Sequence, residues 1–223
     1  MKLFLVTDRR RLAGDVPLEM ARRCLLRQVE AAVQARLDGI IVRERDLEAR
    51  DLTDLTMSIV AMTRETSTRV IVNDRVDVAL ASGADGVHLR GDSIAPGIVR
   101  RMTPKEFLIG RSIHSAQEAA SVADVDYLIA GTVWTSASKP AGHQLLGLDG
   151  FASVVRAARV PVVAIGGVTI DRIGEIAKAG GAGIAAIGFF MGDASASNEC
   201  RVVQLTAIAT EARTRFDTSR SGS

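Results

Sequence analysis

Two cysteines, three histidines and one tryptophan are all that the 223 residues contain of these types, and aromatics make up only 4%. Cys24 and Cys200 are far apart and show neither CxxC nor Cys/His ligand spacing, which excludes a disulfide framework and argues against structural zinc. Neither sign of charge is in excess: 28 Lys and Arg against 26 Asp and Glu leave +2. A dedicated nucleic-acid or membrane binder is therefore not expected, although a local anion site is allowed. Long apolar runs are missing too. The stretch Leu3–Val6 stops at Asp8 and three arginines, too short for a signal peptide or a membrane span, so a cytoplasmic location is expected. What remains, 47% apolar and 24% charged, fits one globular domain able to bury roughly 70% of its unfolded surface.

Eight short apolar runs recur along the chain: Leu3–Val6, Gly39–Val42, Arg69–Val72, Gly86–Leu89, Phe107–Gly110, Tyr127–Ala130, Val162–Ile165 and Ile184–Ile187. They do not alternate with polar residues, as befits strands of a parallel sheet covered on both faces. Helical spacing lies between them. Leu18, Ala21, Leu25, Val29 and Ala32 share one face, and Val202, Leu205, Ala209 and Ala212 repeat the pattern. Asp8, Asn73, Ser115 and Thr169 stand where N-caps belong. Eight strands alternating with eight helices predict a single-domain α/β fold, a (β/α)8 TIM barrel over residues 1–213, with 214–223 a frayed tail. An open doubly wound sheet is the alternative, weakened because no GxGxxG follows the first strand.

In such a barrel the site lies where the strands end. Gly166-Gly167 and Gly188 close the last two strands. They read either as turn glycines needing positive φ or as a phosphate cradle of backbone N–H groups, and barrel position favours the cradle. Arg43 and Arg45, two apart on an extended segment, point to one side with Glu44 facing away. They either grip an anion together or form a solvated rim cluster. Ser112 and His114 also share a side, and His114 is either a proton carrier or a satisfied structural residue. His88 reads as structural and His143 as solvated. Trp134 lines the ligand pocket or caps its loop.

Taken together, Val42-Arg-Glu-Arg45, the segment from Val72 and Asn73-Asp74 to Ala81, Gly86-Val-His-Leu89, Gly110-Arg-Ser-Ile-His-Ser115, Ala164-Ile-Gly-Gly167 and Ser138-Lys139 resemble the thiamine phosphate synthase/TenI superfamily, in order from about residue 3 to 192. The resemblance implies a barrel binding a thiazole phosphate, with two activities to choose between. One is a synthase joining a hydroxymethylpyrimidine diphosphate to that phosphate with Mg2+. The other is a TenI-type tautomerase that aromatises a carboxythiazole phosphate without metal. Arg45 where a synthase has Lys, and Ser93 where it has a second metal-binding Asp (with Asp92 one place early), lean toward the tautomerase. Asp74 and Lys139 are what a synthase keeps.

The reading ranked first is accordingly a cofactor-free isomerase. His114 moves the proton, Ser112 orients it, and Arg43, Arg45, Asn73, Lys139, Gly166, Gly167 and Gly188 bind the thiazole phosphate. Under the synthase alternative, Mg2+ is held at Asp74. A third reading is a non-catalytic thiazole or thiamine phosphate binder. The family is compatible with a homodimer.

Overall fold

The structure, a computed structural model, describes residues 1–136, 142, 144–192 and 197–221. Every apolar run expected to be a strand is one. β1 (Lys2–Val6), β2 (Gly39–Val42), β3 (Arg69–Asn73), β4 (Gly86–Leu89), β5 (Leu108–Ile113), β6 (Tyr127–Ala130), β7 (Val162–Ile165) and β8 (Gly183–Ala186) pair in parallel, each with the next, and β8 pairs back to β1. Phe4 registers with Gly39 on one side and Ala185 on the other, which closes the ring. This is the (β/α)8 barrel.

Period-two geometry divides each strand between two cores. Phe4, Val6, Ile41, Ile71, Ile129 and Val163 fill the lumen. Leu3, Leu5, Ile40, Val42, Val70 and Val72 point outward into a larger core under the helices. Those helices are α1 (Arg9–Ala13), α2 (Leu18–Gln34), α3 (Ala49–Thr63), α4 (Val76–Ser82), α5 (Pro96–Met102), α6 (Ala116–Ser121), α7 (Gly147–Ala157), α8 (Ile173–Lys178) and α9 (Asn198–Ser221). On α2, Ala21, Leu25, Val29 and Ala32 are buried as their spacing predicts, whereas Leu18 at the first turn is exposed. No helix among the described residues is long and apolar enough to cross a membrane.

Four details differ from the sequence reading. The single turn α1 is an extra helix; Asp8 caps it by accepting from the Arg11 N–H at 3.0 Å. β3 runs one residue further, so Asn73 is a strand residue and not a cap. β5 extends to Ile113, which places Ser112 inside the strand. The chain end is not a frayed tail from 214. α9 continues to Ser221 because Phe216 is fully buried and Arg215 reaches Asp171 at 2.9 Å and Glu211 at 2.8 Å.

Candidate active site

Continuing the inward parity past each strand end generates the site. Ile41 leads to Arg43 and Arg45, Ile71 to Asn73, His88 to Arg90, and Gly110 to Ser112 and His114. Arg43, Arg45, Asn73, His88, Arg90, Ser112 and His114 line one cavity of about 200 Å³ over the lumen. A second cavity of about 470 Å³ adjoins it at the ends of β7 and β8, lined by Gly166, Gly167, Gly188, Arg11 and Arg172. Gly166, Ile165, Ile187 and Ser136 belong to both and form the shared wall. His114 and Gly167 thus sit at the same rim.

The odd–even rule also explains Glu44. It points away from the cavity and is buried against Arg9, whose guanidinium donates to Glu44 Oε2 at 2.8 Å and to both oxygens of Asp46 at 2.6 Å. The Arg9 backbone N–H also donates to Glu44 Oε1 at 3.1 Å. Burial pushes the Glu44 carboxyl up, against the lowering pull of hydrogen bonds from Thr7 and Arg9. Asp46, hydrogen-bonded to Arg9, is held at about 2. This anchor fixes the strand end so that Arg43 and Arg45 turn inward. The Arg43 N–H donates to Thr7 Oγ1 at 2.9 Å, and its guanidinium lies 3.9 Å from Asp8. Burial, then the neighbouring Arg45 charge, lowers the Arg43 pKa, so a bound anion would relieve both strains at once.

At the second cavity, Gly166 and Gly167 have φ of +99° and +63°. A Cβ on Gly167 would fall 2.3 Å from the Thr135 carbonyl oxygen, and one on Gly166 2.4 Å from Thr132 Cγ2. They are therefore turn glycines that also line the cavity. Arg172 donates to the Gly167 carbonyl at 2.6 Å, and its guanidinium lies 4.9 Å from the centre of the Trp134 ring. Trp134 is thus a platform for Arg172.

Ser112 does not orient His114, contrary to expectation. Its hydroxyl is 2.8 Å from Nε2 of His88, the inward residue of the neighbouring strand β4. His88, read as purely structural, forms part of the cavity floor. It stacks on Tyr127, and burial lowers its pKa to about 4, which keeps it neutral. His114 instead hydrogen-bonds through Nδ1 to the Gly131 carbonyl, while its backbone N–H donates to Glu118 at 2.9 Å. In a neutral ring the Nδ1 proton goes to that carbonyl, leaving Nε2 as the basic nitrogen.

Asp74, in the left-handed region at φ +67°, lies beside this cavity and faces Arg90: 3.4 Å to its backbone N–H and 3.8 Å to its guanidinium. The same guanidinium holds Asp92 at 2.5 Å. No group of three or more metal-ligating His, Cys, Asp or Glu side chains occurs among the described residues. Mg2+ commonly takes one or two carboxylates plus substrate phosphates. Asp74 therefore fits a cation that arrives with a diphosphate, in competition with Arg90. Lys139, Ser138 and His143 lie outside the described residues. Sequence reasoning missed Arg11, Arg90 and Arg172. For Arg90 the signal was present, since it stands two residues beyond the inward His88.

The chain resembles known proteins over nearly its whole length. The chain is 35% identical over 222 residues to the thiamine-phosphate synthase of Methanoregula boonei, covering 99% of this chain and 95% of that one. It is 34% identical over 201 residues to the thiamine-phosphate synthase of Caldanaerobacter subterraneus subsp. tengcongensis, covering 88% and 90%. Among solved structures, a thiamine phosphate pyrophosphorylase from Pyrococcus furiosus superposes with a TM-score of 0.77 at 30% identity, covering 98% and 96%. With the family model for thiamine monophosphate synthase matching residues 3–190, this chain belongs to the thiamine monophosphate synthase (TMP-TENI) family.

Proposed function

We propose that the protein is a thiamine-phosphate synthase, joining a pyrimidine diphosphate to a thiazole phosphate. This reverses the order in which the sequence ranked the two family activities. The observation that carries the reading is the pair of adjoining cavities with a common wall, each lined by arginines. Arg43 and Arg45 bring two positive charges to the lumen cavity, which Arg90, paired with Asp92, also lines. That suits a diphosphate better than the single carboxylate of a tautomerase substrate. The phosphate of the second reactant belongs in the β7–β8 cavity. Its ring then meets the pyrimidine at the shared wall, where reacting atoms need to approach to about 3–3.5 Å.

In the reaction the thiazole nitrogen forms a bond to the exocyclic carbon of the pyrimidine. The bond from that carbon to the diphosphate oxygen breaks, and diphosphate leaves with the electron pair. Arg43 and Arg45 stabilise the charge that develops on it. Asp74 would hold a Mg2+ ion bound together with the diphosphate, and that ion would supply further neutralisation of the leaving group. Ser112, fixed by His88, presents its hydroxyl to the pyrimidine.

A specific observation favours the tautomerase as second reading: the His114 imidazole faces the same cavity with Nε2 as its basic nitrogen. The test is one paired assay. Purified protein is given both synthase substrates with Mg2+ or with EDTA, and separately the carboxythiazole tautomer. Thiamine phosphate forming with Mg2+, and persisting within about tenfold in His114→Asn, supports the synthase; a general acid–base residue would lose about 10²–10⁴-fold. No thiamine phosphate under any condition, with metal-independent aromatisation of the tautomer, would overturn it.

A further inference from the structure

We infer that Arg11 and Arg172 form a two-guanidinium clamp on the phosphate in the β7–β8 cavity and restrict that substrate to a phosphate ester. The inference deepens the synthase reading and relies on it only for which ester is bound. Both arginines line the cavity but come from opposite sides of it. Arg11 comes from α1, next in the ring to β8 because β1 pairs with β8. Arg172 comes from the 3-10 turn Ile170–Arg172 that follows β7.

The sequence of α1 dictates where Arg11 points. Arg9 is buried against Glu44 and Asp46, which fixes the rotation of this one-turn helix. Two residues on, at about 100° per residue, Arg11 is thrown to the opposite face. There its guanidinium lies against Gly188: a Cβ at that glycine would fall 2.9 Å from Nη2 and 3.5 Å from Cζ. Glycine at 188 is what allows the approach. Arg172 is held by Trp134 and by one bond to the Gly167 carbonyl, and among the described residues its other N–H donors meet no further acceptor.

Neither guanidinium has a carboxylate partner among the described residues, in contrast to the paired Arg9, Arg75, Arg90, Arg100 and Arg215. Two positive charges facing one cavity, neither answered by a carboxylate among the described residues, match the near-dianionic charge of a phosphate monoester at neutral pH. An alcohol in its place would leave both charges unanswered, so the cavity rejects the unphosphorylated thiazole.

Trp134 is the only tryptophan in the chain, and it stacks on Arg172, so its emission reports on this cavity. Inorganic phosphate is titrated into the full-length protein while Trp134 fluorescence is followed, with calorimetry in parallel because an Arg172 substitution itself alters the fluorophore's surroundings. The wild type should saturate at millimolar phosphate. Arg11→Met and Arg172→Met should each weaken binding by about 10–100-fold, the range of a lost charge-assisted hydrogen bond. Arg101→Met, which removes an exposed charge from α5, should leave it unchanged. No saturable binding in the wild type, or wild-type affinity in both Met variants, overturns the clamp. Weakened binding in the variants from a wild type that makes no thiamine phosphate would sink the synthase reading and leave the clamp standing.

Discussion

Arg9 and Glu44 form the most enclosed ion pair among the described residues, with side-chain exposures of 5% and 3%. Its two halves are not equivalent. Arg9→Met strands Glu44 as a buried charge, which costs about 3–5 kcal/mol when a buried pair is broken from one side. For a domain of this length that lowers Tm by about 6–20 °C, at about 2–4 °C per kcal/mol. Glu44→Gln is milder. Arg9 keeps both bonds to Asp46, and the amide oxygen still accepts from the Arg9 backbone N–H, so the loss should be about 1–2 kcal/mol. The double variant Arg9→Met/Glu44→Gln removes the stranded charge and should be more stable than Arg9→Met alone. Acidification should have a similar effect on Arg9→Met. An unpaired buried Glu44 has a folded pKa above its unfolded value, so the native state binds the extra proton and the deficit narrows from pH 7 toward pH 5. Urea denaturation followed by circular dichroism across that pH range measures all of this. A double variant no more stable than Arg9→Met, or a deficit independent of pH, would show that the stranded charge is not the cause.

Gly167→Ala should weaken phosphate binding at least tenfold and lower Tm, because the left-handed conformation costs about 1–2 kcal/mol and the Cβ collides with the Thr135 carbonyl; calorimetry checks the first and a thermal melt the second. His88, neutral in the fold down to about pH 4, makes stability fall as pH drops from 6.5 to 4, since only the unfolded chain takes up its proton there; the loss approaches about 3 kcal/mol, and His88→Gln should flatten this part of the urea-midpoint profile. Phe216→Ala should cost about 3–5 kcal/mol by denaturant titration if the chain end is built into the domain, and almost nothing if it is not.

Continuous apolar runs made the barrel legible, because a strand covered on both faces has no freedom to carry polar residues until it reaches the rim. The same parity made Arg43, Arg45 and His114 legible, each an even number of residues beyond a lumen position. Arg11 was hidden for a physical reason. Its direction depends on a single helical turn whose rotation is set by Arg9, and Arg9 is fixed by Glu44, thirty-five residues away. The Ser112 partner was hidden likewise, since β5 runs three residues beyond the expected Gly110 and brings Ser112 alongside β4 and His88. Phe216 is buried in a helix that packs against α2, α8 and the turn before α8, none of which is a sequence neighbour of the chain end. Local pattern thus gives the elements, and parity gives the direction of a strand residue. A residue on a short helix or past a strand end needs its tertiary partner.

That distinction ties the two cavities together. Asp8 caps α1 through the Arg11 N–H and stands 3.9 Å from the Arg43 guanidinium, while Arg9 grips the carboxylate between Arg43 and Arg45. One turn of helix therefore faces the phosphate cavity with Arg11 and braces the strand end that faces the lumen cavity. Because both contacts issue from the same five residues, a change that rotates α1 must move the arginines of both cavities together. Arg9→Met should accordingly weaken inorganic phosphate binding although Arg9 lines neither cavity wall, an effect that loss of global stability alone does not produce in the fraction that remains folded. Unchanged phosphate affinity in folded Arg9→Met would mean that α1 keeps its rotation without its anchor.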